Sequence, residues 1–174
     1  VSEPGTILVR RLAREDAAIY RSLRLIALES EPEAFSADLD QERGQDIAWF
    51  ERRLARPEPS GTFGAFLAER LVGMASLIVD ASAKQRHRGL VVGVFVAPEA
   101  RGRSVGFELL GRLLDDAAGR VDIVDLAVAT RNGSARALYA RLGFRPYGIM
   151  RDALRVDGRS IDEELLSLDL RARE

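Results

Sequence analysis

Val94-Phe95-Val96-Ala97-Pro98-Glu99-Ala100-Arg101-Gly102-Arg103-Ser104-Val105-Gly106 reads as a strand, a turn and the start of a helix. An apolar run stops at Pro98, and a short turn rich in Arg and Gly follows. An amphipathic segment then begins, with apolar residues at Val105, Leu109, Leu110, Leu113, Leu114 and Ala117. The first turn of a helix carries backbone N–H groups without partners and a partial positive charge. A turn that lets a phosphate reach those groups is an anion site. Gly102 and Gly106 have no side chain to obstruct the approach, and Arg101 and Arg103 add positive charge and forked donors. No Gly-Lys-Ser/Thr follows, so nothing marks a site for a γ-phosphate and magnesium. The glycine spacing is also not that of a dinucleotide fingerprint.

A second block lies about thirty residues on. Asp125-Leu126-Ala127-Val128-Ala129-Thr130 reads as a buried strand. Arg131-Asn132-Gly133-Ser134 then opens a helix whose apolar face is Ala135, Leu138, Tyr139 and Leu142. Gly143, before Phe144, stands at a C-cap position, and Asn132 is a natural N-cap. Together the two blocks resemble the GNAT superfamily of acyl-CoA-dependent N-acetyltransferases. The first is similar to its pyrophosphate motif, Arg/Gln-x-x-Gly-x-Gly/Ala. The second is similar to its Asn…Ala…Leu-Tyr…Leu-Gly-Phe block. There is one departure: the fourth position of the first motif is normally Gly and here is Ser104. Serine offers a hydroxyl to a phosphate oxygen but does not adopt φ > 0 as cheaply as glycine.

Composition narrows the function classes. With 174 residues and 47% hydrophobic residues, the chain suits one domain, 1–174, with a real core. A net charge of −1 supplies no global field for nucleic acid or an anionic membrane. Cysteine is absent, which removes disulfides, thiolate metal sites and a cysteine nucleophile. His87 is the only histidine, so a histidine-based metal site is not expected. No apolar run reaches the roughly eighteen residues of a membrane span, and the first residues do not resemble a signal peptide. A cytoplasmic protein is the expectation.

Periodicity orders the elements. Ile7–Leu12 reads as a strand. Asp16–Leu28 reads as a helix with Ile19, Leu23 and Ile26 on one face, broken before Pro32. Asp46–Ala55 reads as a helix that turns Ile47, Phe50 and Leu54 inward. Thr62–Ala68 and Leu71–Val79 form a hairpin around Glu69-Arg70. Leu90–Val96 and Val121–Ala129 are strands. Phe144–Val156 and Ile161–Leu170 form a last hairpin through Asp157-Gly158. The order βααβββαβαββ is that of the GNAT fold, an α/β (α+β) domain. The resemblance therefore implies a mixed, twisted sheet of about seven strands with helices on both faces.

The resemblance also implies an activity. Acetyl-CoA, as co-substrate and without a metal, would give its acetyl group to the amine of a small molecule or peptide by direct attack. Its pyrophosphate would be held by Arg101, Gly102, Arg103, Ser104, Val105 and Gly106. Its pantetheine arm would pair with the edge formed by Val94, Phe95 and Val96, and contact Asn132 and Ala135. Tyr139 matches the position whose phenol lies near the CoA sulfur, and at neutral pH a phenol is a proton donor. Many relatives carry a basic carboxylate on the fourth strand, but Gly89–Val96 contains none. His87, just before that strand, is the candidate base, because histidine is the residue type suited to proton transfer near neutrality. Acceptor selection would fall to the first two helices and the last hairpin. Glu29, Glu31, Glu33, Phe35, Trp49, Asp162, Glu163 and Glu164 lie there without distinguishing an acceptor. A homodimer is compatible with the family, and no sequence feature determines it. The competing expectation, motivated by Ser104 and the missing strand carboxylate, is an acyl-CoA-binding regulatory domain without turnover.

Overall fold

The computed structural model describes residues 6–173. Its strands are β1 (Ile7–Arg11), β2 (Gly61–Leu67), β3 (Arg70–Val79), β4 (Arg88–Val96), β5 (Ile123–Ala129), β6 (Arg145–Val156) and β7 (Arg159–Asp169). Its helices are α1 (Ala17–Ser30), α2 (Leu39–Arg43), α3 (Ile47–Leu54), α4 (Val105–Ala117) and α5 (Gly133–Arg141). The strands form one seven-stranded sheet in the order β1-β2-β3-β4-β5-β7-β6. All neighbours are antiparallel except β4 and β5. The mixed sheet and the element order are those expected, with α2 as an unanticipated addition.

β3 is buried on both faces because α1 and α4 pack on it from opposite sides. Helix α4 meets expectation residue by residue: Val105, Leu109, Leu110, Leu113, Leu114 and Ala117 are all buried. Each fully buried leucine there contributes roughly 2 kcal/mol by removal from water. The Glu69 and Asp157-Gly158 turns adopt the positive φ of tight hairpins.

Helix α1 sits in a different rotational phase from the one expected. Ile19 and Ile26 are 43% and 51% exposed, and α1 buries the expected Leu23 together with Tyr20, Arg24, Ala27 and Leu28. The period of the pattern is correct, but a charged residue at 24 hides the true inward stripe. In α3 the expected Phe50 and Leu54 are buried, and Ile47, at the first position of the helix, is exposed. The charge at Arg24 is met by Glu42 of α2, at 2.8 and 2.9 Å, with both side chains buried. Helix α2 is held by Asp38, whose carboxylate accepts from the Gln41 amide at 2.8 Å.

The feature that positions the site is the divergence of β4 from β5. They pair only at Arg88–Leu90 with Ile123–Asp125. The Arg88 guanidinium donates to Asp125 across that closed end at 2.6 and 3.1 Å. Beyond Leu90 the edge of β4 that faces β5 has no strand partner. A bulge sets in at the same place, where the β3–β4 register shifts and Gly93 takes φ +66°. Glycine accepts that conformation without strain.

Candidate active site

The opening between β4 and β5 is a cleft of about 1170 Å³. Pockets that enclose a drug-sized ligand run to roughly 300–1,000 Å³, so this one has room for a large cofactor and an acceptor together. One wall is the unpaired edge of β4. Val94, Phe95 and Val96 line the cleft there, and Phe95 turns its ring into the core, so it offers the cleft its backbone. An unpaired strand edge can bind an extended amide-bearing chain as a further strand would bind.

The far end of β4 leads into the Arg-Gly turn and α4. Gly102 has φ +73° and Ser104 φ +62°, so the chain reverses into the helix through two left-handed residues. Ser104 caps α4 by position, without a side-chain hydrogen bond. The first amides of α4 have no carbonyl one turn back and lie at the positive end of a thirteen-residue helix. Gly102, Ser104, Val105 and Gly106 border the cleft. Arg101 borders it too, but its guanidinium is engaged: Nε donates to the Val96 carbonyl at 3.0 Å, and Nη2 pairs with Glu31. Arg103 is exposed and does not line the cleft.

The opposite wall comes from β5 and α5. Asn132 caps α5, its side chain accepting from the Ala135 amide at 3.1 Å, and both residues line the cleft. Tyr139 is 6% exposed and packs edge-on against Phe144, ring centroids 5.9 Å apart. Burial pushes its phenol above the ordinary tyrosine range, so at neutral pH it carries its proton.

His87 is brought nowhere near this wall. It is exposed, in the turn before the closed end of the β4–β5 pair, and does not border the cleft. Its carbonyl accepts from the Asp122 and Ile123 amides. The placement corrects the expectation of a base there: the end of β4 that carries His87 is the end at which the strands close. The last hairpin supplies a carboxylate instead. Successive side chains on a strand point to opposite faces. Glu164 turns to α5, where it binds Arg136 at 2.8 Å, and Asp162 binds Arg151 at 2.7 Å. Glu163 turns the other way, into the cleft, opposite Ala129 of β5. It makes no hydrogen bond or ion pair with a described residue, and burial pushes its carboxyl above the usual carboxylate range. Arg24, Phe35 and Arg53 also line the cleft. A signal for Arg24 did exist in the sequence, a charge in phase with the apolar stripe Tyr20, Leu23, Ala27 and Leu28.

The model of the acetyltransferase (GNAT) family matches residues 20–144. The N-alpha-acetyltransferase RimI of Mycobacterium tuberculosis is 38% identical over 112 residues, 64% of this chain and 68% of that protein. The chain belongs to the GNAT acetyltransferase family. Among solved structures, a GNAT-family acetyltransferase from Streptococcus pneumoniae matches with a TM-score of 0.82 at 23% identity, over 95% of this chain and 99% of that one. The protein yncA from Salmonella typhimurium, solved with its cofactor acetyl-CoA, matches with a TM-score of 0.76 at 22% identity, over 94% of each chain. Membership of this family makes the chain an acyltransferase, and acetyl-CoA is the acyl donor of the family's acetyltransferases. Among its described residues no His, Cys, Asp or Glu group could hold a metal ion.

The left-handed Ser104 of this acetyltransferase has a measurable consequence. A non-glycine residue in that conformation is strained by on the order of 1 kcal/mol. Ser104→Gly should raise unfolding free energy by roughly 0.5–1 kcal/mol, read as a higher urea midpoint. A lower midpoint would mean that the serine hydroxyl stabilises the turn.

Proposed function

We propose that this acetyltransferase moves the acetyl group directly from acetyl-CoA to an α-amine of a small molecule or peptide, with Glu163 as general base and Tyr139 as general acid. The observation that carries the reading is the convergence in one cleft of an unpaired strand edge, a left-handed turn opening the first amides of α4, a protonated phenol and an unpartnered carboxylate. The relative named as an N-alpha-acetyltransferase supports an α-amine as nucleophile.

The residues present fit the cofactor. The edge formed by Val94, Phe95 and Val96 would hold the amides of the pantetheine arm, with Asn132 and Ala135 opposite. Gly102, Ser104, Val105 and Gly106 would hold the pyrophosphate on their amides, with Arg101 beside them. When bound, acetyl-CoA supplies an activated acyl carbon and a thiolate leaving group. Glu163 removes a proton from the acceptor ammonium, and the freed nitrogen forms a bond to the acetyl carbon as the carbon–sulfur bond breaks. Tyr139 gives its proton to the departing sulfur. The products are an acetamide and the free thiol. The acylated nitrogen gives up its second proton as the amide forms, and this proton restores the Tyr139 phenol through solvent. The proton taken by Glu163 passes to solvent, so one proton is released per turnover. A backbone N–H at the Gly93 bulge would steady the negative charge that develops on the carbonyl oxygen. Holding both reactants in contact accounts for up to about 7 kcal/mol of the barrier.

Isothermal titration with acetyl-CoA, with ATP as control, tests the cofactor half. One-site binding of acetyl-CoA alone is expected. Equal binding of ATP, or no binding of acetyl-CoA, would overturn the assignment of the turn. Release of free thiol in the presence of an amine panel tests the transfer.

A further inference from the structure

Arg24 is 3% exposed, inside the apolar stripe of α1. Its Nε and Nη2 donate to Glu42, but Nη1 donates to no described residue. That third nitrogen stands beside the bulge of β4, where a Cβ added to Gly93 would lie 3.1 Å from it. Arg53 of α3 approaches the same carboxylate, its Nη1 3.6 Å from Glu42, and its Nε is buried without a hydrogen-bond partner. Both arginines line the cleft. One carboxylate therefore serves two guanidiniums. Arg56 adds to the imbalance. It has no ion-pair partner among the described residues, and burial together with the charge of Arg53 holds its pKa below the ordinary arginine value.

A buried charge without a counter-charge is costly, and a pair that only fixed the helices would balance one arginine with one glutamate. Here the surplus lies on the wall of a substrate cleft, with unused N–H donors. Guanidinium nitrogens in that state are matched by a carboxylate or another oxyanion.

We propose that Arg24 and Arg53 bind an anionic group of the acceptor, so that the substrate is an amine carrying a carboxylate or similar oxyanion in the same molecule. The inference rests on the transferase reading above and narrows it. The arrangement places positive charge at the bulge and negative charge, on Glu163, elsewhere in the same cleft, as a dipolar acceptor requires. The carboxylate has two sources: the α-carboxylate of a free amino acid, or the side chain of an Asp or Glu that begins a peptide.

The test is acetylation kinetics on matched pairs. One arm compares phenylalanine with phenethylamine. The other compares C-terminally amidated tripeptides beginning with Asp or Glu against those beginning with Asn or Gln. In at least one arm the anionic member should have a kcat/KM at least about tenfold higher. Arg53→Gln should cut that preference about tenfold, through the KM of the acceptor, and Arg53→Lys, which keeps the charge, should restore part of it. A role confined to packing would not move this ratio. Arg53 is the better site to vary because Arg24 is fully buried on Glu42 and its loss endangers the fold. Preference for the neutral member in both arms, or a preference that survives Arg53→Gln, overturns the proposal alone. Binding of acetyl-CoA without turnover of any amine overturns the transferase reading and this inference with it.

Discussion

Tyr139→Phe should lower kcat by about 100-fold or more, the scale of losing a positioned general acid, while the protein stays folded and still binds acetyl-CoA. The phenylalanine keeps the edge-on contact with Phe144 and the burial of the ring. The phenol has no hydrogen-bond partner among the described residues, so its removal orphans no buried group, and stability should change by less than about 1 kcal/mol. What is lost is a proton held at the cleft by a group whose burial keeps it neutral. The sulfur would then leave as a bare thiolate, and the defect should be largest in kcat. Single-turnover kinetics at saturating acetyl-CoA would measure it directly. A kcat unchanged in Tyr139→Phe would reduce Tyr139 to a core residue at the cleft wall.

Glu163→Gln should cost a similar factor, about 100-fold in kcat/KM at neutral pH, with a distinct pH signature. A base acts deprotonated, so the rate of the native enzyme should rise with pH through the pKa of Glu163, which burial sets above the usual carboxylate range. That rising limb should vanish in the glutamine variant. Stability should move the opposite way. Because the folded pKa is raised, the folded state favours the neutral carboxyl. Its stabilising contribution is complete below the unfolded-state pKa and declines as pH rises through the folded value. Glutamine imitates the neutral form. Glu163→Gln should therefore melt at a higher temperature than the native protein at pH 8, and this advantage should disappear below about pH 4. Retention of the acid limb by the variant would exclude Glu163 as the base. A lower melting temperature at pH 8 would mean that its carboxylate has a favourable partner.

The parts of this site that could be read in advance are those built from local interactions. Asn132 is an N-cap because its side chain reaches an amide three residues on, and the turn before α4 is marked by Arg101, Gly102 and a helical apolar pattern directly after it. The Asp157-Gly158 turn is likewise local chemistry. Ser104 is the instructive departure. Its left-handed backbone is dictated by the turn as a whole, and the strain that serine incurs there was legible as soon as the glycine was missed. Arg24 is in phase with the stripe Tyr20, Leu23, Ala27 and Leu28, but the counter-charge that lets a guanidinium join that stripe, Glu42 of α2, is visible only in the tertiary structure. His87 and Glu163 show the same boundary from the catalytic side. Sequence proximity to β4 favoured the histidine, while the divergence of β4 from β5 put the working end of the strand at its other terminus.

By itself, the sequence determined the order of elements apart from α2, the apolar face of α4, the Arg-Gly turn before it and the place of Tyr139 on the apolar face of α5. These depend on helix and strand periods and on capping within a few residues, and such short-range preferences survive without a partner. Only the tertiary structure decided that Glu163, and neither Asp162 nor Glu164, faces the cleft. It alone decided that two arginines share one buried glutamate beside the Gly93 bulge. Which of three adjacent acids points inward depends on the pairing of β7 with β5, and a one-residue slip in that register would reverse it. Charge balance in a buried cluster is a sum over groups from separate helices, which no local pattern records.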